Sequence, residues 1–232
     1  NSQSKLLSFD AVFTGELGEM EHGAIGVATG VSAFNEKLEQ DADSKSVAGE
    51  ILGSSGTISN DRRDVQSGFA EVVLPITQKL ELDAAARVDN YSDFGTTVNP
   101  KLSAKYNLNS SVMFRASLGT GFKAPTLTEL YRASSSGFIT FIDRYMCSQD
   151  ASYCTANQYE VSGGGNKNLE EEKAFAGSIG TVIQATSNIS FSLDAWYTKI
   201  NNIVGINYEE MTQSELQNGL GSTSAYGVTV ER

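Results

Sequence analysis

From Lys101 to Leu118 the chain switches sides at every residue. Leu102, Ala104 and Tyr106 share one parity, and Lys101, Ser103 and Lys105 share the other. Beyond a polar turn at Asn107-Leu108-Asn109-Ser110, Val112, Phe114, Ala116 and Leu118 oppose Ser111, Met113, Arg115 and Ser117. Side chains of a strand point alternately to its two faces, so each run presents one apolar and one polar surface. Two such runs around a short turn predict a β-hairpin. Leu80, Leu82, Ala84, Ala86 and Val88 repeat the pattern against Lys79, Glu81, Asp83, Ala85, Arg87 and Asp89. A helix cannot satisfy that period.

The same reading predicts nine antiparallel strands. Lys5 to Leu17 places Phe9, Ala11 and Phe13 on one face, and Gly23 to Asn35 does the same with Ile25, Val27 and Val31. Gln66 to Leu74 stops at Pro75, which cannot continue a ladder. The remaining strands are 79–90, 96–106, 111–119, 173–184, 189–201 and 224–231. Expected pairs are 68–75 with 79–90, 79–90 with 96–106, 96–106 with 111–119, and 173–184 with 189–201. Helix is expected only in loops, chiefly Thr126 to Arg132, where Pro125 can start a turn. Connections alternate in length. Pro75 to Gln78, Asn107 to Ser110 and Ala185 to Asn188 are short, whereas 36–64, 119–169 and 204–221 are long; Asn90 to Gly95 is the one short connection on the long side. Transmembrane barrels keep short turns on one side and long loops on the other, an asymmetry a soluble sandwich does not require.

Composition narrows the classes. No apolar run approaches the ~20 residues of a membrane-spanning helix. A barrel strand needs only ~9–11 alternating residues, so 40% hydrophobic residues are compatible with one. Seventeen basic against 28 acidic residues give a net charge of −11, with no basic cluster beyond Arg62-Arg63. That argues against nucleic acid as a partner. The acids gather in predicted loops, such as Glu36 to Asp43 and Glu209 to Glu215, as a solvated rim would.

Several segments, taken in order, resemble TonB-dependent outer-membrane receptors. They are Gly68-Phe69-Ala70-Glu71 running to Leu74-Pro75-Ile76, Arg87-Val88-Asp89-Asn90-Tyr91-Ser92-Asp93-Phe94-Gly95, and Asn99-Pro100-Lys101. Arg115-Ala116-Ser117 through Gly121-Phe122-Lys123-Ala124-Pro125 follows, then Gly165-Asn166-Lys167-Asn168-Leu169 with Glu172, and Tyr197 to Val204. The family usually carries proline where Lys167 stands. The resemblance implies an all-β fold: an antiparallel meander forming part of a transmembrane β-barrel with long extracellular loops. It places the protein in the outer membrane of a Gram-negative bacterium, in contact with lipid. It also implies uptake of a scarce small-molecule nutrient, such as a metal chelate carried by a siderophore, energised by the TonB system through a plug domain. No plug or energy-coupling box is recognisable, and both ends look cut. Residues 1–232 are therefore expected to be a partial barrel domain that transports nothing alone. A passive pore or adhesin barrel, or a soluble all-β carbohydrate-active protein, remain the alternatives.

No enzyme, cofactor or metal site is expected. His22, the only histidine, sits at a turn without a recognisable partner pattern. Asp89-Asn90-Tyr91-Ser92-Asp93 lacks the glycine spacing of a calcium loop. Gly119-Thr120-Gly121-Phe122 does not open a helix after a parallel strand, so it is no phosphate cradle. Cys147 and Cys154 are the only cysteines, and an even pair in an extracytoplasmic chain reads as a disulfide. Tyr131, Phe138, Phe141 and Tyr145, all in the long 119–169 segment, are candidates for ligand contact or for ordinary loop packing. Trp196 and Tyr197 could form an interfacial pair.

Overall fold

The computed structural model describes residues 2–47, 50, 59–132, 135–205, 208–218 and 228–231. Eight long strands make one antiparallel sheet: β1 (Ser2–Met20), β2 (Gly23–Gln40), β3 (Ser59–Pro75), β4 (Leu80–Tyr91), β5 (Gly95–Asn107), β6 (Val112–Lys123), β9 (Glu172–Thr186) and β10 (Ile189–Asn201). Their spatial order is their chain order, with β6 beside β9. Between those two the chain leaves the sheet and builds α2 (Leu127–Tyr131), β7 (Ser135–Phe141), α3 (Arg144–Gln149), a 3-10 turn (Ala151–Cys154) and β8 (Asn157–Gly163). A one-turn α1 (Ser44–Val47) follows β2, and α4 (Tyr208–Asn218) with β11 (Val228–Glu231) follows β10.

Register carries the apolar parity from strand to strand. Leu82 faces Leu74 and Ala104, Leu102 faces Leu118, and Ala116 faces Ile179, which faces Ala195. All lie on one surface of the sheet. That surface is not covered: Phe9, Phe13, Leu118, Ile179, Phe191 and Leu193 are all at least half exposed, Leu193 at 74%. An isolated soluble monomer does not tolerate an apolar surface of that extent. A bilayer covers such a face, because hydrocarbon accepts it and paired strands leave no backbone group unsatisfied. Among the described residues, the cluster of mutually packed buried apolar side chains, Phe141, Tyr159 and Val161, lies among β7 and β8 rather than on the large sheet.

The tight turns at 21–22, 76–79, 108–111 and 187–188 fall at one end of the sheet; the other end carries the long excursions together with the short 92–94 turn. The four expected pairings are present and antiparallel. Three expectations need correction. Glu36 to Asp64 is not a loop throughout: β2 runs to Gln40 and β3 starts at Ser59, paired Gln40 with Ser59. These strands of 17–19 residues exceed the ~9–11 that cross a bilayer, and at the loop-side end of β3 the buried face carries polar residues such as Ser59 and Arg63 instead of an apolar row. The 119–169 segment holds two strands, two short α-helices and a 3-10 turn, which makes eleven described strands rather than nine. Finally, 228–231 does not extend the large sheet; β11 pairs with β8 in a separate three-stranded sheet of order β11-β8-β7. Residues 224–227 of that expected strand lie outside the described residues.

Candidate functional site

The loop end is built on a polar and aromatic knot. The β4–β5 ladder continues to the Tyr91–Gly95 pair, but the β5–β6 ladder stops at Lys101–Gly119. Tyr91, Phe94 and Phe122 cluster at the diverging ends, with ring centroids 4.4 Å apart for Tyr91–Phe94 and 5.7 Å for Tyr91–Phe122. The Arg63 guanidinium lies 5.3 Å from the Tyr91 centroid and 5.9 Å from that of Phe94. Its Nε and Nη2 both reach Asp93 Oδ2 at 2.7 Å, and Nη2 also donates to the Pro125 carbonyl at 2.6 Å. The side chains of Arg63 and Asp93 are only 5% and 3% exposed. Two of the motifs singled out from sequence thus meet through an arginine that no local sequence signal marks.

Pro125 leads into α2. Thr126 caps this helix, its Oγ1 accepting from the Glu129 amide while the Glu129 carboxylate accepts from the Thr126 amide. That reciprocal pair satisfies two donors that a helix start leaves open. Leu127 and Leu130 are both 2% exposed. The other end of α2 is held by the Gly165-Asn166 segment: the Gly165 amide donates to the Arg132 carbonyl at 2.7 Å and the Asn166 amide to Glu129 at 2.8 Å. A Cβ on Gly165 would lie 2.5 Å from Leu130 C and O, so only glycine permits this approach. Together α2, residues 164–170, residues 202–205 and α4 line a cavity of about 1000 Å³. Glu129, Glu170 and Glu210, Arg132, and carboxamides such as Asn166 and Gln213 contribute to its wall.

Beside it stands the small sheet. Asp143, fully buried, caps α3 by accepting from the Tyr145 and Met146 amides at 3.0 and 3.1 Å. Arg144 ties α3 to α4, with its amide on Thr212 Oγ1 and its guanidinium on Glu209. The acidic stretch around Glu209 to Glu215 is therefore a helix rather than a loop rim. Cys147 and Cys154 form a disulfide, Cα atoms 4.6 Å apart, joining α3 to the following turn. The four aromatic candidates are not brought together. Phe141 is 6% exposed and packs on Tyr159 and Tyr208, so packing is its occupation. Phe138 is 53% exposed, Tyr145 lies half-buried in α3, and Tyr131 ends α2 beneath the Lys167 ammonium at 5.4 Å. Burial pushes the Tyr131 phenol up, with Asp93 and Asp61 adding to the rise and Arg63 opposing it.

The polar face of the large sheet carries a different chemistry. Lys105 pairs with Glu81 at 3.3 Å, and Arg115 holds both oxygens of Asp194 at 2.9 and 2.7 Å. The Arg115–Asp194 bridge passes over Gly180, where an added Cβ would meet Asp194 Oδ1 at 1.9 Å. Trp196 and Tyr197 are not a pair on one surface: Tyr197 shares the apolar parity of Leu193, and Trp196 shares that of Asp194. Among the described residues no group of three or more His, Cys, Asp or Glu could hold a metal, and no helix is long and apolar enough to cross a membrane.

An antiparallel sheet with a lipid-type apolar face, a charged inner face and every elaborate loop at one end defines a segment of an outer-membrane β-barrel. The family model for the TonB dependent receptor-like β-barrel matches residues 2–231, and the chain belongs to that family. Its members are outer-membrane proteins of Gram-negative bacteria. The vitamin B12 transporter BtuB of Photobacterium profundum is 31% identical over 83 residues, which is 35% of this chain and 14% of that protein. Among solved structures, the siderophore receptor PirA of Acinetobacter baumannii aligns with a TM-score of 0.66 at 17% identity, covering 86% of this chain and 27% of that one. A ferric enterobactin receptor (PfeA) mutant from Pseudomonas aeruginosa, in complex with enterobactin, aligns with a TM-score of 0.65 at 18% identity and the same coverage. At such identities the likeness concerns the fold. The chain spans well under a third of the length of these relatives.

Proposed function

We propose that residues 1–232 form a partial barrel domain of a receptor that captures a scarce nutrient at the cell surface for uptake driven by the TonB system. The reading rests above all on the cavity of about 1000 Å³, which lies at the loop end of a sheet whose other features serve the membrane. Polar walls at the mouth of a barrel suit capture of a small hydrophilic molecule, since hydrogen-bond donors and acceptors there fix orientation while the barrel supplies rigidity. Metal chelates and corrinoids are the two ligand classes that the similar proteins suggest. Lipid contacts the Leu118 face, and the TonB system would act through a plug domain. The open eight-stranded sheet is not transport-competent by itself. Binding and translocation, with no bond made or broken in the nutrient, are the whole of the activity.

The test is uptake by cells carrying the full-length gene, supplied in turn with ferric enterobactin and cyanocobalamin, with and without a functional TonB system. TonB-dependent accumulation of either probe supports the reading. Accumulation unaffected by loss of TonB would identify a passive pore instead.

A further inference from the structure

We propose that Arg63 is a positioning residue that fixes the placement of α2, and with it one wall of the loop-end cavity. The inference rests on reading that cavity as the nutrient site. Three segments meet at this guanidinium: the start of β3, the tip of the β4–β5 hairpin 30 positions on, and the start of the 124–171 excursion 62 positions on. The strand ladders do not join the last two, because β5 and β6 separate after Lys101–Gly119. Arg63 spans that wedge with one nitrogen, Nη2, shared between Asp93 Oδ2 and the Pro125 carbonyl.

The Pro125 carbonyl immediately precedes Thr126, the N-cap of α2. Fixing it therefore sets where the helix starts, and Thr128, Glu129 and Arg132 of the cavity wall follow. The planar fork suits this task in a way an ammonium does not, for it stacks against Tyr91 and Phe94 while donating in its own plane. Asp93 Oδ1 is buried without a hydrogen-bond partner among the described residues, so the carboxylate is held through Oδ2. The ladders of β3, β4 and β5 are closed by their own backbone pairing up to Val65–Tyr91 and Tyr91–Gly95. The knot governs the loop, and the ladders govern the sheet.

The experiment compares the full-length receptor in detergent with its Arg63→Gln and Arg63→Lys variants. Hydrogen exchange should rise at least tenfold at the Leu130 and Asn166 amides in both variants and stay unchanged at 80–90 and 98–106, with the barrel melting temperature held. Lysine should fail to rescue, because one ammonium cannot reproduce the shared, stacked geometry. Unchanged exchange at α2, full rescue by lysine, or a fall in barrel melting temperature that matches the loop loosening would each overturn the proposal. Affinity for ferric enterobactin and for cyanocobalamin is measured alongside. Loosened α2 with undiminished affinity for a probe the parent binds would overturn the link to capture. A parent that binds neither probe counts against the nutrient-receptor reading alone, because exchange still judges the role of Arg63.

Discussion

Replacing Gly165 with alanine tests how the re-entry segment holds α2. The new Cβ would sit 2.5 Å from Leu130 C, Leu130 O and Tyr131 N, all backbone atoms without a flexible end to swing away. The segment must withdraw or the helix must move. Withdrawal breaks the Gly165–Arg132 and Asn166–Glu129 bonds, each contributing about 1 kcal/mol net, so roughly 2 kcal/mol is lost locally. If α2 moves instead, Leu127 and Leu130 lose part of a burial that contributes about 1.5–3 kcal/mol for each side chain. Native-state hydrogen exchange at the Asn166 amide reads the outcome directly in the full-length receptor, and about 2 kcal/mol corresponds to a roughly thirtyfold loss of protection. Gly137→Ala is the control, since a Cβ there meets nothing within 4 Å. Asn166 protection within twofold of the parent in Gly165→Ala would refute the close-approach argument.

Leu118→Arg, on the face assigned to lipid, should cost about 2–4 kcal/mol of folding stability if it lies near mid-bilayer; vesicle refolding in urea measures it, and a neutral result would invert the face assignment. Asp150 has its carboxyl held below the ordinary 3.8 by accepting from the Ser152 backbone amide and then from the Ser152 side chain. Its contribution to the 3-10 turn is thus full above that value and lost as pH falls through the lowered one. Exchange at the Ser152 amide from pH 5 to 2 follows the loss, and a rise in protection on acidification would contradict the sign. Thiol labelling under denaturing, non-reducing conditions should find no reactive cysteine, and reduction should release two; closing so short a loop stabilises by about 2–3 kcal/mol at most in the chain-entropy picture.

The strands that cross the membrane were legible because one face meets hydrocarbon and the other meets water or protein, which imposes a period of two. Where the buried face is itself polar the hydropathy period vanishes, so 36–40 and 59–64 carry no strand signal although they are paired, and Ser59 and Arg63 are buried there. β7 and β8 did carry a usable signal, since Ile139, Phe141, Tyr159 and Val161 alternate and pack together, but the surrounding glycines and serines diluted it. The Thr126-Leu127-Thr128-Glu129 spacing is a capping-box pattern, so α2 could have been placed more sharply than Pro125 alone allowed. Before α4 the sequence carries a similar spacing, Asn207 with Glu210 three residues on, but the acidic run that follows equally resembles an exposed rim. Arg63 was illegible for a simpler reason. Its partners are 30 and 62 positions away, and nothing local distinguishes it from Arg62.

The pairing of β11 with β8 bears on how such loops could be exchanged between receptors. The outer cap is woven from two stretches of chain, one leaving after β6 and one after β10, and β8 is flanked by a strand from each. A chimera that transplants only residues 124–171 carries β8 with one side bare, exposing unpaired amides and carbonyls along Glu160 to Gly163. Nor would α3 find its anchor, because Arg144 reaches across to Thr212 and Glu209. The exchangeable unit of this cap is a pair of loops, and a graft that keeps them together preserves the surface that either one alone would lose.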